Sequence, residues 1–231
     1  MVQLAHNTPI LDALGLGGLI HVWGDAGAGK TLFAASLASD ISKHSHVEWI
    51  NTDAKKSFVA HLKRNVVEYG GKMNNIAVTL IESRSELREL INDLPRTLEN
   101  TSLVIIDPIT RVLDMAREDP ILWGRELVEE VLPTLAGVVS NAGIDIVIIS
   151  ESRMMEDSRN RAVHHNSITR WIDHDLLLTR NMNGTQSQIF SMLESSPKEI
   201  AVMNLISNGV IEVIPRLSVS ESIAEENEFV W

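Results

Sequence analysis

The 231-residue sequence contains no cysteine, which excludes disulfide-stapled folds and metal sites built on cysteine thiolates. A cysteine-free chain fits a reducing compartment. Residues 1–9 are polar and lack the apolar core of a signal peptide. No run approaches the roughly 18 apolar residues that a membrane-spanning helix needs. We therefore expect a cytoplasmic protein with no membrane partner.

Positive charge is also scarce, because 20 lysines and arginines face 31 aspartates and glutamates, a formal net charge of −11. A chain this acidic repels nucleic acid as a whole, so any contact with DNA requires a local basic cluster. The hydrophobic fraction of 44% is by contrast sufficient for a large core. The length suits one large α/β domain or two small ones.

One glycine-rich segment, Gly24 to Thr31, reads GDAGAGKT and matches the G-x-x-x-x-G-K-T pattern of phosphate-binding loops. It lies between an apolar, strand-like run at 19–23 and a helix-like run at 32–41. Backbone N–H groups of such a loop converge on an anion, and the helix N-terminus adds partial positive charge. We predict a site for ATP and Mg²⁺, in which Lys30 binds the β- and γ-phosphates and Thr31 binds the metal. The predicted nucleotide-binding residues are Asp25, Ala26, Gly27, Ala28, Gly29, Lys30 and Thr31.

Two further acids end predicted strands. Asp107 follows the apolar run 103–106 and could reach Mg²⁺ through water; the alternative is a cap on the following helix. Asp53 ends the strand predicted at 46–50. Its carboxylate could orient water towards the γ-phosphate, which would make Asp53 and Lys30 the catalytic residues. The alternative for Asp53 is likewise a cap on the next helix.

Strands and helices alternate as far as residue 150, and a run of short strands follows. This order predicts an α/β fold with a central, mostly parallel sheet flanked by helices and an antiparallel C-terminal extension. Residues 124–140 are predicted as a long helix kinked at Pro133. Residues 151–169 lack apolar periodicity and are predicted as a long mobile loop. Residues 1–217 are predicted to form one domain, and 218–231 an acidic disordered tail.

The order of these motifs resembles that of the RecA family of ATPases, especially archaeal RadA-type recombinases and their single-domain RadB-type paralogues. The resemblance rests on the glycine-rich loop, on 51–53 and on 105–107, and it extends over residues 11–213. It implies a RecA-like P-loop NTPase fold, hydrolysis of ATP to ADP and phosphate, and a role in DNA repair or homologous recombination. Residues 111–126 resemble the first DNA-facing loop of the family, and 145–152 resemble the strand that leads into the second.

The chain departs from the family at two places. Asn51-Thr52-Asp53 replaces the family's Asp-Thr-Glu, and the shorter acid predicts slow hydrolysis. Glu151 and Ser152 stand where the family has an Asn-Gln pair, whose glutamine senses the γ-phosphate. This second departure weakens the expectation that nucleotide binding is relayed to DNA in the usual way.

The segment that follows residue 152 is rich in arginine. We predict that it contacts single-stranded DNA through Arg153, Arg159, Arg161 and Arg170. The alternative is a solvated loop whose arginines pair with its own acids. The adjacent histidines His164 and His165 point apart and are predicted to be solvated or pH-sensitive rather than to bind a metal.

The sequence ends with an acidic, aromatic segment, Glu225 to Trp231. Aromatic anchors beside acids are typical of a docking peptide, so we predict that this segment binds a protein partner. Two other functions share the same core motifs. One is a nucleotide-gated adaptor, and the other is a KaiC-like regulatory ATPase that acts through protein partners.

Overall fold

The computed structural model describes residues 8–53, 56–110, 124–154, 160–193, 196–206 and 210–216. Arg159, the tail at 218–231 and most of the 111–126 segment lie outside these ranges. The predictions made for them therefore stay predictions, as does the domain boundary at residue 217.

Within these ranges the chain forms one large sheet of nine strands and a small hairpin. The strands are β1 Leu19–Gly24, β2 His46–Asn51, β3 Ile76–Leu80, β4 Thr101–Asp107, β5 Asp145–Ile149, β6 Ser152–Met154, β7 Asn160–Ala162, β8 His174–Arg180, β9 Gln186–Ser191, β10 Lys198–Leu205 and β11 Ile211–Pro215. The sheet order is β11-β10-β9-β8-β1-β5-β4-β2-β3, and β6 pairs with β7 alone. The six strands β3, β2, β4, β5, β1 and β8 run parallel to one another. Along β8, β9, β10 and β11, each strand runs antiparallel to the one before it. This architecture confirms the predicted α/β class.

Helices cover the sheet. They are α1 Ile10–Leu14, α2 Lys30–Ile41, α3 Phe58–Tyr69, α4 Arg84–Thr97, α5 Leu132–Ala142 and α6 His165–Ile168, with a 3-10 turn at Met73–Asn75. The central strands β1 and β4 are buried on both faces, which is why they read as continuous apolar runs. Two hydrophobic clusters result, one around Phe33 and Trp49 and the other around Leu87 and Leu135. None of the helices in the described ranges combines the length and the apolar character needed to cross a membrane.

The predicted helix at 124–140 is not one uninterrupted α-helix. Residues Leu127–Val131 form a π-helical turn, and α5 begins directly after it. Pro133 is the second residue of α5 and follows the π-helical turn, so the chain before it is already helical. A proline inside an α-helix would clash with the carbonyl four residues earlier. The wider turn thus accommodates Pro133 at the place where we predicted a kink.

The prediction of a long mobile loop at 151–169 was wrong in that 152–154, 160–162 and 165–168 form two strands and a helix. Strands β6 and β7 form an antiparallel hairpin in which Ser152 lies opposite Ala162. Helix α6 then leads towards β8. Strands of three residues are too short to show an alternating pattern, so the sequence carried no period to detect.

Candidate nucleotide-binding site

The glycine-rich loop joins the carboxyl end of β1 to the first residue of α2, as predicted. Gly24 and Gly29 have φ values of 141° and 93°, which side chains rarely allow. A Cβ on Gly24 would lie 2.1 Å from the carbonyl oxygen of Leu178, and one on Gly29 would lie 2.4 Å from Cε of Met203. The tight path of the loop therefore depends on glycine at both positions.

The remaining loop residues differ in exposure. Asp25, Ala26 and Gly27 are exposed at the tip of the loop, while Ala28 is buried. The Ser187 hydroxyl, from β9, donates a 2.8 Å hydrogen bond to the Ala28 carbonyl. The tip thus faces solvent, and the base of the loop is fixed to the antiparallel part of the sheet.

Lys30 folds its side chain back over the loop. Its Nζ donates hydrogen bonds to the carbonyl oxygens of Gly24, at 2.7 Å, and Asp25, at 2.9 Å. Burial lowers the pKa of Lys30, and the carboxylates of Asp107, Glu151 and Asp25 act in the opposite direction. The ammonium therefore sits among three acids at the carboxyl edge of the sheet.

The predicted metal ligands meet in the structure. Thr31 Oγ1 donates a 2.8 Å hydrogen bond to Oδ2 of Asp107, although 76 positions separate the two residues. A hydroxyl beside a carboxylate offers the oxygen ligands that Mg²⁺ prefers. The described residues hold no cluster of three or more His, Asp or Glu that could bind a metal by itself. Mg²⁺ fits this pair as an ion that takes its other ligands from phosphate and water oxygens.

Asp53 lies beside this centre. Asn51, the last residue of β2, pairs with Asp107 of β4. The Asn51 side-chain amide donates to Oδ1 of Asp53 at 3.3 Å, which ties the two residues together. The N-cap position of α3 belongs to Ser57. The alternative of Asp53 as the cap of that helix is therefore wrong.

Glu151, which departs from the family pattern, is a second acid at this edge. Its backbone N–H donates to the Thr110 hydroxyl at 3.1 Å, which holds it next to the end of β5. Its carboxylate is among the groups that raise the pKa of Lys30, whereas Asp53 is not among them. An acid directly after a buried strand was the available signal, the same one that identified Asp107.

A cavity of about 360 Å³ opens beside the loop. Its lining consists of Gly27, Gly29, Lys30, Thr31, Leu32, Arg180, Gly184, Thr185, Gln186, Ser187, Met203, Leu205 and Ile211. Pockets for small ligands commonly have volumes of about 300–1,000 Å³, so this one suits part of a nucleotide. Sequence reasoning missed the wall from β9 to β11 because it lies more than 150 positions after the loop.

The hairpin β6–β7 is in direct contact with the loop. The Ser152 hydroxyl donates to the Gly24 carbonyl at 2.9 Å and to Oδ1 of Asp25 at 3.2 Å. The side-chain amide of Asn160 donates to the same Asp25 oxygen at 2.5 Å. Ser152, at the position of the family's glutamine, thus contacts the backbone of the glycine-rich loop.

The structure brings together two of the four predicted DNA-binding arginines. Arg153 and Arg161 are directly opposite each other in the hairpin, so their side chains leave the same face. Arg159 lies outside the described residues. Arg170 lies close to Asp173, whose N–H donates to the carbonyl of Leu19 at the amino end of β1. That end of the sheet is opposite to the glycine-rich loop.

A buried chain of polar side chains crosses the sheet below the site. His21 contacts Oδ1 of Asp175 through Nδ1 and the Ser150 hydroxyl through Nε2, both at 2.8 Å. His165 Nε2 lies 2.8 Å from the other Asp175 oxygen. A carboxylate only accepts, so both histidines donate to it, and Ser150 donates to His21. Ser150 is fully buried, which excludes a role as an accessible nucleophile.

This chain of contacts also corrects the prediction for His165. Its ring is partly covered, paired with Asp175, and packs edge-on against Trp23 with the ring centres 5.2 Å apart. The prediction of a solvated side chain is therefore wrong for His165, whereas the alternative of a pH-sensitive side chain stays a prediction. No pattern of the sequence indicated that His21, His165 and Asp175 would meet.

No model of a known protein family matches the sequence, and a search of curated proteins also finds no match. Among solved structures, the chain is similar to a crystal structure of the RadB recombinase, with a TM-score of 0.67 and 18% sequence identity. The superposition covers 91% of this chain and 99% of that chain. At this identity the comparison establishes the fold alone. The chain therefore has the RecA-like α/β fold that its motif order predicted.

Proposed function

We propose that this chain is an ATP-binding protein with slow, Mg²⁺-dependent ATPase activity that assists DNA repair or homologous recombination. The observation that carries the proposal is the hydrogen bond between Thr31 and Asp107, which joins two sequence motifs at the end of the glycine-rich loop. The structural similarity to a RadB recombinase supports the link to recombination.

The loop residues have distinct roles in this proposal. Lys30 would exchange the carbonyl oxygens of Gly24 and Asp25 for phosphate oxygens, which compensate its charge better. Thr31 and Asp107 would hold Mg²⁺ at the edge of the sheet. The bound ion would neutralise charge on the phosphates.

Hydrolysis also needs a carboxylate that orients water in line with the γ-phosphate. Asp53 is the residue that the motif order suggests, and Glu151 is a second candidate because its charge acts on Lys30. General-base catalysis typically contributes about 10²–10⁴-fold to a rate. We expect the responsible variant, Asp53→Asn or Glu151→Gln, to lose a factor of this size in kcat while KM changes little. If neither variant loses activity, neither carboxylate is the base.

Calorimetry tests the nucleotide site directly. Wild-type protein titrated with ATP in the presence of Mg²⁺ should give a binding isotherm, and Lys30→Ala should remove it. Circular dichroism of the variant controls for folding. Absence of heat with the wild type, or undiminished binding by Lys30→Ala, would overturn the proposal.

Contact with single-stranded DNA is proposed for the hairpin that carries Arg153 and Arg161. Each phosphate contact contributes about 0.7 to the slope of log affinity against log salt concentration for a single strand. Replacing both arginines with alanine should therefore lower the slope by about 1.4 and weaken oligonucleotide binding. Arg170→Ala, at the opposite end of the sheet, is the comparison variant and should change the slope less. Equal slopes for the wild type and the double variant would exclude the hairpin.

The second candidate function is an adaptor or KaiC-like regulatory protein that binds ATP and acts through protein partners, with the tail from Glu225 to Trp231 as docking segment. The contacts of Ser152 and Asn160 with the loop favour this function. Nucleotide binding at the loop would change these contacts and so act on the hairpin, without a glutamine that senses the γ-phosphate. Turnover with and without single-stranded DNA separates the two functions. ATP binding with turnover near background, unchanged by DNA, supports the adaptor.

A further inference from the structure

The cavity beside the glycine-rich loop has a second cation besides Lys30. Arg180, the last residue of β8, lines it together with residues of the loop. Among the described residues that line the cavity there is no aspartate or glutamate. Asp107, Glu151 and Asp25 act on Lys30 from outside this lining. In a protein of net charge −11, a lining with two cations and no acid favours an anionic ligand.

The strand order explains why Arg180 reaches the loop. β8 runs parallel to β1, and Leu178 lies opposite Gly24, where the loop begins. The next residues of both strands continue past the same edge of the sheet. Arg180 therefore lies on the flank of the loop opposite to the hairpin, since β8 and β5 border β1 on different sides.

The guanidinium group of Arg180 is fixed between two glycines. Its Nε donates to the Gly184 carbonyl at 2.9 Å, and Nη2 donates to the same oxygen. Its Nη1 lies 3.5 Å from the position that a Cβ of Gly27 would occupy. This is an ordinary van der Waals distance, so the guanidinium lies directly against the tip of the loop at Gly27.

Nη1 retains its capacity to donate. Within the described residues, the hydrogen bonds of the guanidinium go to Gly184, and no carboxylate pairs with it. Arg180 is also exposed. One edge of the guanidinium thus anchors the group to the turn between β8 and β9, and the other faces the loop backbone at Gly27.

We infer that Arg180 is a phosphate-binding residue of the nucleotide site, with Nη1 donating to a phosphate oxygen that the loop holds at Gly27. The inference rests on the proposed nucleotide-binding function and adds to it a cation that the P-loop motif does not contain. The anchor on Gly184 holds the guanidinium in place, so little side-chain freedom is lost on binding.

The test is calorimetry with ATP, ADP and adenosine in the presence of Mg²⁺, on wild type, Arg180→Ala and Arg180→Gln. A hydrogen bond to a charged group contributes about 1.5–3 kcal/mol, or roughly 10- to 100-fold in affinity. Both variants should weaken ATP and ADP binding by this factor and leave adenosine unchanged. Glutamine keeps one donor for the Gly184 carbonyl, so it separates lost charge from a shifted turn.

Arg96→Ala is the matched control, because it removes one exposed arginine and the same net charge from α4, outside the lining of the cavity. Its affinity for ATP should stay within twofold of the wild type. If Arg180→Ala and Arg180→Gln also stay within twofold, the inference is wrong while the nucleotide site stands. If wild-type protein binds no nucleotide, the proposed function itself fails. An equal loss with adenosine would assign Arg180 to the shape of the cavity and would also overturn the inference.

Discussion

The buried contacts of Asp175 lead to a quantitative prediction on stability. Its side chain is only 2% exposed and lies between His21 and His165. Hydrogen bonds from these histidines outweigh the effect of burial and lower the pKa of Asp175 from 3.8 to about 2. A change of this size in pKa corresponds to about 2.5 kcal/mol in the free energy of unfolding at neutral pH.

The sign follows from which state binds the proton. The folded pKa of Asp175 is lower than the unfolded value, so its stabilisation is complete above about pH 4 and is lost as the pH falls towards 2. Burial also lowers the pKa of His21 below 6.5. Below about pH 6.5, His21 is protonated in the unfolded chain but stays neutral in the folded protein, so the free energy of unfolding begins to fall.

The perturbation that isolates the charge is Asp175→Asn, which keeps an acceptor for His21. We expect it to lower the free energy of unfolding by about 2 kcal/mol at pH 7, and by about half as much at pH 3. Ser150→Ala is the uncharged comparison. It removes one hydrogen bond to His21 and should cost about 1 kcal/mol at either pH.

Urea unfolding followed by circular dichroism, at pH 7, 5, 4 and 3, measures these differences. A second variant, His21→Asn, should flatten the loss of stability between pH 6.5 and 5. Some of that slope should persist, because burial also lowers the pKa values of His164 and His174. The reasoning is refuted if Asp175→Asn is as stable as the wild type at pH 7. It is also refuted if its deficit is the same at pH 3.

Four other variants test the loop and the helices. Gly24→Ala should abolish ATP binding in calorimetry and lower the melting temperature, because its Cβ would lie 2.1 Å from the Leu178 carbonyl. Gly137 lies in a helix with open space around it, so Gly137→Ala should raise the free energy of unfolding by up to about 1 kcal/mol. Thr31→Val keeps the shape but removes the hydroxyl bonded to Asp107, so ATP binding should become insensitive to EDTA; an unchanged Mg²⁺ dependence would contradict the assignment. Ser83→Ala removes the N-cap of α4 and should cost about 1 kcal/mol in urea unfolding, and an unchanged midpoint would contradict it.

The sequence alone was sufficient to place the glycine-rich loop between β1 and α2, Asp107 at the end of β4, and the strands and helices of the described residues outside 151–169 in their order. A phosphate-binding loop is built from contiguous residues, so its chemistry is visible as a motif. Strands buried on both faces are continuous apolar runs, so the end of each run marks the carboxyl end of the strand. The capping of α4 also depends on residues close in sequence, because the contacts between Ser83 and Glu86 span a single turn.

The tertiary structure decided which distant residues join that loop. Arg180 reaches Gly27 because β8 was inserted beside β1 in the sheet, and His21 meets Asp175 across 154 positions for the same reason. Glu151 begins a segment for which the sequence predicts a long mobile loop, yet its charge acts on Lys30. Side-chain periodicity tells which residues are buried, but it does not tell which strands are neighbours. Strand order is a property of the whole packed sheet, and every contact that crosses from one strand to another depends on it.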